Sequence, residues 1–523
     1  MVKLEISLKR VQTFIFDVPR LKVMLGANAL LGETMRYELP KLMNGRGCQL
    51  LWPEIDYDIA GDPLDNAPDA EDRDNPRDNP KALYEQGILA RDGGHFIAVF
   101  SDEDKAKDFL KDAEQVLAEK LPGVLYDCKI ESFEEKKTFN QPKSCENHLL
   151  NLPVFQVCQE TGKEPASETI QYEEEQEPRW VAKSVQHRRD HGSKFYEGKT
   201  KDIIGLMWHQ LYPDPWQRPQ EIKDLTSGGY LALIHADGNC IGLRYNKWKE
   251  KQQSGDALTK EAHGETFFHS MRVAVRKAVV AALNKTFVPE KSIRPYEVLM
   301  LGGDDLLLAC HANKALTFAR HYVEELQNEP LADGNRLDVA IGVAIAKPSY
   351  PLHRLHELAE NLASGAKRLY RASEHDRNSV IDWQVVTQSW FAGVEEVRQK
   401  SEVVQYKIND HAETLLLTGR PYRVVGGEHN LQQLLDTVNA LDNNKKIEVA
   451  RSPLRSLRNA CEQGRLSGKM AFERLPKEVR QELGNNLWQS LSEEQQTSIY
   501  LTRVLDIIGI REIAHLGSRK NDG

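Results

Sequence analysis

Two apolar runs, Val298-Leu299-Met300-Leu301 and Leu306-Leu307-Leu308-Ala309, are joined by Gly302-Gly303-Asp304-Asp305. No other feature constrains the chain as strongly. Apolar runs flanking so short a polar link read as the two strands of a hairpin, because glycine accepts the positive φ that a tight turn demands. An earlier apolar run, Tyr230 to Ala236, ends at Asp237, and Phe267, Met271, Ala274, Ala278 and Ala282 then recur at helical spacing. Beyond the hairpin the pattern predicts a helix carrying Leu316, Ala319, Val323 and Leu326. An alternating strand through Val339, Ile341, Val343 and Ile345 follows, then a helix through Leu355, Leu358, Leu362 and Leu369, and a strand from Ser379 to Trp383.

The order β-α-β-β-α-β, extended by one α-β unit, is the ferredoxin-like arrangement, and it predicts an α+β domain over residues 229–390. The N-terminal region, residues 1–144, repeats the order more loosely. Leu4 to Ile15 is strand-like, Leu21 to Leu42 helical, and Gln49 to Trp52 a second short strand. Gly93-Gly94-His95 leads into Phe96-Ile97-Ala98-Val99-Phe100, a helix starts at a capping box of Ser101 and Asp104, and Val124 to Ile130 closes the unit. His95 stands where the other half has Asp304, and Lys9 and Arg10 lie near the counterpart of Asp237, so this half is expected to be non-catalytic. An acidic insertion occupies residues 54–92; Glu54 to Pro80 alone holds ten acidic residues, two arginines and four prolines. It lacks the ligand order of an EF-hand and reads as a solvated loop with no chemistry. Residues 145–228 form a polar connector. Residues 391–523 read as helical, with Leu431, Leu434, Leu435, Val438 and Leu441 on one face.

The 523 residues exceed a single ordinary domain, and no run approaches the roughly 18 apolar residues of a membrane span. The N-terminus has no signal-peptide layout, and the seven cysteines, at 48, 128, 145, 158, 240, 310 and 461, include no CxxC pair. A reduced, cytoplasmic protein without a membrane segment is expected. The formal charge of −9 argues against indiscriminate nucleic-acid coating.

If the Tyr230–Ala236 strand neighbours the hairpin, Asp237, Asp304 and Asp305 converge. Such a cluster supplies the hard oxygen ligands for two Mg2+ or Mn2+ ions, which together allow a 3′-hydroxyl to attack an α-phosphate. Gly238, Gly302 and Gly303 would let a triphosphate approach the backbone. Ordinary turn aspartates are the competing reading, since Asp and Gly dominate turns; the Asp-Gly ending the earlier strand and the order of elements disfavour it.

Ala236-Asp237-Gly238-Asn239-Cys240-Ile241-Gly242 together with Gly302-Gly303-Asp304-Asp305 resembles the second palm domain of the large CRISPR polymerase subunit of type III effector complexes. Val11-Gln12-Thr13-Phe14-Ile15-Phe16, Leu21-Lys22 and Gly26-Ala27-Asn28-Ala29-Leu30-Leu31 resemble that family's first palm. The resemblance implies two palms, the first degenerate, with ATP as substrate, cyclic oligoadenylates as product, metal at Asp237, Asp304 and Asp305, and a nucleotide pocket between the palms. It also implies guide RNA and other effector subunits as partners. The chain opens directly at the first palm, without the family's histidine-aspartate nuclease domain, and His375-Asp376 reads as coincidence, so DNA cleavage is not expected. The family's four-cysteine zinc site is reduced to Cys145 and Cys158 with His148, His187 and His191 nearby, so zinc is not expected. Lys367, late in the last palm helix, matches a lysine that the family and the related diguanylate cyclases direct at the triphosphate; Arg368 and Asn28 are weaker candidates. Lys445, Lys446, Arg451, Arg455 and Arg458 read as a solvated helix face. A GTP-using cyclase, a nucleotide-binding scaffold subunit and a homodimer sharing the site stay open.

Overall fold

The structure is a computed structural model that describes residues 1–66, 78–133, 138–143, 156–172, 176–226, 229–251, 256–372, 378–386, 393–408, 411–443, 451–484, 486–493 and 497–515. In the N-terminal region β1 (Val2–Lys9), β2 (Ile88–Ala90), β3 (His95–Phe100), β4 (Leu125–Ser132) and β5 (Thr138–Lys143) form a sheet in the order β2-β3-β1-β4-β5. The connector holds a small ladder of β6 (Glu168–Ile170) and β7 (Arg179–Val181), and its helix Lys183–Tyr196 packs on the helix Leu21–Glu33. The second unit contains β8 (Leu231–Gly238), β9 (Tyr296–Gly302), β10 (Asp305–His311), β11 (Val339–Ala346) and β12 (Val380–Val385), ordered β12-β11-β8-β10-β9. Its four central strands repeat the first sheet: β9-β10-β8-β11 stand as β2-β3-β1-β4 do, with the middle strand antiparallel to both neighbours. The paired ferredoxin-like expectation is met.

Several local expectations change. Gln49–Trp52 is extended but outside the sheet; the hairpin strand is Ile88–Ala90, on the far side of the acidic stretch. Only three residues long, it gives too short an alternation to register in sequence. The first strand stops at Lys9, and Val11–Phe16 is helical. The helix after β3 is capped by Asp102, whose carboxylate accepts from Lys105 N at 2.9 Å, rather than by Ser101. Residues 391–523 are not wholly helical. They add β13 (Val403–Ile408), β14 (His411–Leu416), β15 (Tyr422–Arg423), β16 (Gln489–Glu493) and β17 (Thr497–Leu501), of which β13-β14-β17-β16 form a separate sheet and β15 joins the edge of the second unit beside β12. These strands span at most six residues, and the pairing of β14 with β17 joins distant segments, so the long periodicity of Leu431–Asn443 dominates the pattern.

The acidic stretch is not simply solvated. Asp78 is fully buried and accepts from Arg272 at 2.9 and 3.0 Å and from Arg276 at 2.9 Å; Asp62 accepts from Arg276 at 2.9 and 2.5 Å. Asp92 pairs with Arg36 and lies 3.4 Å from Arg272. Both arginines project from the buried helix Ala257–Thr286 of the second unit, and an arginine there needs a counter-charge from a neighbour. The two ends of the acidic segment supply it, so the first unit clasps the second. Residues 67–77 lie outside the described residues.

Removing the shared partner should expose this dependence. Asp78→Ala leaves Arg272 and Arg276 short of a counter-charge and is expected to cost about 3–5 kcal/mol. Chemical denaturation of the full chain reads this as a midpoint far below that of the parent; an unchanged midpoint would rule out the clasp.

Candidate active site

β8 runs through the centre of the second sheet with its apolar side chains buried on both faces, and only its last turns reach an opening. Its register places Ala236 opposite Leu306 on β10 and Asp237 opposite Ala340 on β11. Extending the β8–β10 ladder by one residue puts Asp305 beside Asp237. The β9–β10 hairpin closes at the pair Gly302–Asp305, leaving Gly303 and Asp304 at the tip. Gly303 has φ +62°, a left-handed conformation that a side chain would strain, which is why a glycine stands there.

The three aspartates therefore converge, and their environment differs from that of surface carboxylates. Burial first, and then the charge of Asp237, raises Asp304 above the ordinary carboxyl range. Burial, reinforced by Asp304 and Asp237, pushes Asp305 up to about 8. One cation answers them: Lys367 Nζ lies 2.6 Å from Asp237 Oδ2. Lys367 sits on the helix Leu352–Ala372, which packs across β8, β11 and β12. The glycines divide by role. A Cβ on Gly238 would lie 2.5 Å from Asp304 Oδ2 and 2.7 Å from Ile241 Cγ1, so this glycine makes room for Asp304 to lie over β8. A Cβ on Gly302 or Gly303 would meet nothing within 4 Å, leaving that backbone open to an incoming group.

Residues 230–381 match the family model described as Cas10/Cmr2, second palm domain. This segment is therefore similar to a Cas10/Cmr2 palm domain. The likeness in fold extends over the whole chain. A Csm1–Csm4 cassette solved in complex with cA3 is 12% identical at TM-score 0.51, covering 99% of this chain and 70% of that one. The cassette solved in complex with pppApApA is 12% identical at TM-score 0.50, covering 99% and 69%. No curated protein matches the chain.

Within this segment the structure adds a residue that sequence reasoning missed. His235 lies two residues before Asp237 on β8, hence on the same face, and is buried against His356, their rings 5.8 Å apart. Burial, and then His356, lowers its pKa, so the imidazole is neutral. The strand's period of two is the signal that would have found it. Arg368, by contrast, points away from the site and pairs with Glu395, and Asn28 is half-buried on a helix that touches β9.

The first palm holds its own version of the site, one residue out of the register expected. Arg10 and Cys240 each take a left-handed φ, 53° and 57°, immediately before a helix, which aligns Ser7 with Asp237. Ser7 pairs with His95, so His95 corresponds to Asp305 and Gly94 to Asp304. Ser7 Oγ, His95 Nδ1 and Glu5 Oε1 lie within 2.9 to 3.1 Å of one another. The palms meet nearby, where Gln12 Nε2 donates to Glu360 Oε1 at 2.6 Å and Phe16 stacks on His356 with centroids 4.6 Å apart.

The remaining candidates lie elsewhere. Cys158 is buried in an apolar cluster with Val18, Val23 and Ile170, His191 pairs with Glu33, and His187 is half-buried; Cys145, His148, His375, Asp376, Lys445 and Lys446 lie outside the described residues. Arg455 and Arg458 face Glu512, at 4.0 and 3.1 Å. Among the described residues, no helix is long and apolar enough to cross a membrane.

The raised pKa of Asp305 has a consequence for stability. A carboxyl whose folded pKa exceeds its unfolded value contributes stability that is full below the unfolded pKa, 3.8, and is lost as pH rises through about 8. In the presence of a chelator, Asp305→Asn should match the parent in thermal stability near pH 4 and exceed it increasingly towards pH 8. A constant difference across that range would contradict the assignment.

Proposed function

We propose that this chain is a nucleotidyltransferase that joins ATP through 3′-5′ bonds into an oligoadenylate that closes to a cyclic product, acting within CRISPR-linked antiviral defence. The observation that carries this reading is the convergence of Asp237, Asp304 and Asp305 with Lys367 at the open end of a Cas10/Cmr2 palm. A purely structural turn gains nothing from three like charges in a partly buried place. Structures of the same fold were obtained with cA3 and with pppApApA, which favours adenine nucleotides as substrate.

The donor set fits divalent cations: oxygen ligands brought together on two neighbouring strands, with two of the three carboxyls held above their ordinary range by burial and then by neighbouring carboxylates. Mg2+ or Mn2+ held by Asp237, Asp304 and Asp305 would supply acidification of the attacking 3′-hydroxyl and neutralisation of the triphosphate. The hydroxyl oxygen bonds to the α-phosphorus as the α–β bridging bond breaks, and pyrophosphate leaves with that electron pair. Lys367 neutralises Asp237 before substrate arrives. Were cations held on the carboxylates, its ammonium would be free to reach the phosphate oxygens, where a compact point charge suffices. Open backbone at Gly302 and Gly303 lets the triphosphate lie against the turn, and Gly238 keeps Asp304 seated over β8.

The first palm, with Ser7, Glu5 and His95 in place of the aspartates, serves as the non-catalytic wall of the nucleotide pocket. By analogy with the Csm1–Csm4 cassettes we infer a second effector subunit as partner, with guide RNA in the same assembly. Two readings compete: a GTP-using cyclase on the same palm, and a scaffold that binds nucleotide without turnover.

Incubation with ATP and Mg2+ or Mn2+, alone and with partner subunits and target RNA, is expected to release pyrophosphate. Asp304→Ala combined with Asp305→Ala should reduce release to background, and Lys367→Met should lower kcat by about 100-fold. Undiminished release by the double variant would refute the catalytic role of the cluster; preferential consumption of GTP in a mixed-nucleotide reaction would establish the diguanylate-type alternative.

A further inference from the structure

Resting on the reading of Asp237 and Asp305 as cation ligands, we infer that His235 supplies a nitrogen ligand to the same cation, and that this position therefore favours a transition-metal ion such as Mn2+ or Co2+ over Mg2+. One imidazole nitrogen of His235 and one carboxylate oxygen each from Asp237 and Asp305 all lie within 4.8 Å of one another. A small adjustment of side chains brings three such donors onto one ion. The placement follows from the strands: His235 and Asp237 share a face of β8 at a spacing of two, and Asp305 adjoins them from β10.

A second observation points the same way. His235 is 5% exposed, and its Nδ1 has no hydrogen-bond partner among the described residues. Buried polar atoms in folded proteins are nearly always partnered, so such an orphan calls for an explanation. Its cross-strand neighbours offer none, since Leu307 and Gly342 bring no polar side-chain atom, and the adjacent His356 also has an unpartnered nitrogen, Nε2. A histidine kept only for packing would be as well served by leucine or phenylalanine at this position. A neutral imidazole beside two carboxylates is a mixed nitrogen and oxygen donor set, and nitrogen donors favour the later divalent ions of the first transition row over magnesium, which prefers oxygen.

The other group of metal-ligating side chains among the described residues, Asp62, Asp78 and His269, shows the contrast. There Arg272 and Arg276 already occupy the carboxylates. At Asp237 and Asp305 the one paired cation among the described residues is Lys367, and a metal ion can displace it.

Pulsed electron paramagnetic resonance of the full chain with substoichiometric Mn2+ and no nucleotide tests this directly, because a coordinated imidazole imprints 14N modulation on the manganese echo. The expected result is strong 14N modulation in the parent, its loss in His235→Gln and His235→Phe with Mn2+ still bound, and its persistence in His356→Phe. Titration calorimetry should show the preference for Co2+ over Mg2+ shrinking in the His235 variants. Mn2+ that binds in an Asp237- and Asp305-dependent manner without 14N modulation would overturn the role of His235 and leave the carboxylate site standing. Modulation that survives Asp237→Asn combined with Asp305→Asn would place the nitrogen elsewhere and overturn it too. Failure of Mn2+ to bind would overturn both readings.

Discussion

Mutual repulsion of Asp237, Asp304 and Asp305 is the constraint on which this site is built. Near a protein surface two unit charges about 4 Å apart repel by about 4 kcal/mol, and one carboxylate oxygen each of Asp237 and Asp305 lies within 4.8 Å of the other. A flexible loop would relieve this by moving apart. Here Asp237 is fixed by two ladders, to β10 and to β11, and Asp305 is held in the hairpin, so the strain is carried by their protonation instead. Lys367 offsets part of it through Asp237, while burial first, and then the neighbouring carboxylates, gives Asp304 and Asp305 their raised values. The sheet thus enforces the geometry, and a cation or a proton must supply the remaining charge.

The same rigidity depends on the first palm. Its acidic segment holds Arg272 and Arg276 of the long helix from one side, while Gln12 and Phe16 contact Glu360 and His356 on the helix that carries Lys367. A small cavity behind the turn is bounded by Asp92, Arg272, Arg276, Leu301, Gly302 and Gly303, so the charge clasp and the Gly302-Gly303-Asp304-Asp305 hairpin share a wall. The first palm therefore does more than close a pocket: it fixes the two helices against which the carboxylate strands pack.

What the sequence revealed follows from the length of its signals. Four-residue apolar runs around Gly302-Gly303-Asp304-Asp305, and a strand ending in Asp237, gave the second sheet and the convergence of the carboxylates. Lys367 was found only through the family resemblance, since helical spacing cannot say which strand end a lysine reaches. Ile88–Ala90 and the short strands of the C-terminal sheet were illegible because each is too short to show a clear period of two, and the pairing of β14 with β17 joins segments far apart in sequence. The acidic segment misled for a related reason. Carboxylates in a proline-rich run look solvated until Arg272 and Arg276, almost two hundred residues away in the case of Asp78, are seen to need them. His235 was overlooked because one polar residue within an apolar run reads as noise, and only its position two residues from Asp237 gives it meaning.

Comparison of the two palms explains why only one gathers three aspartates at its strand ends. Both have the same strand order, a left-handed residue before the helix that follows the first strand, and a glycine at the hairpin tip. In the first palm the positions of Asp237, Asp304 and Asp305 are taken by Ser7, Gly94 and His95. Glu5 is then the one carboxylate in the cluster, and it is answered by a hydroxyl and an imidazole within 3.1 Å. That group is hydrogen-bonded internally and brings one carboxylate where the second palm brings three. The second palm leaves its carboxylates in excess and His235 Nδ1 without a partner. One scaffold thus yields a self-satisfied wall and an under-neutralised centre, and the difference lies in three side chains at the ends of matching strands.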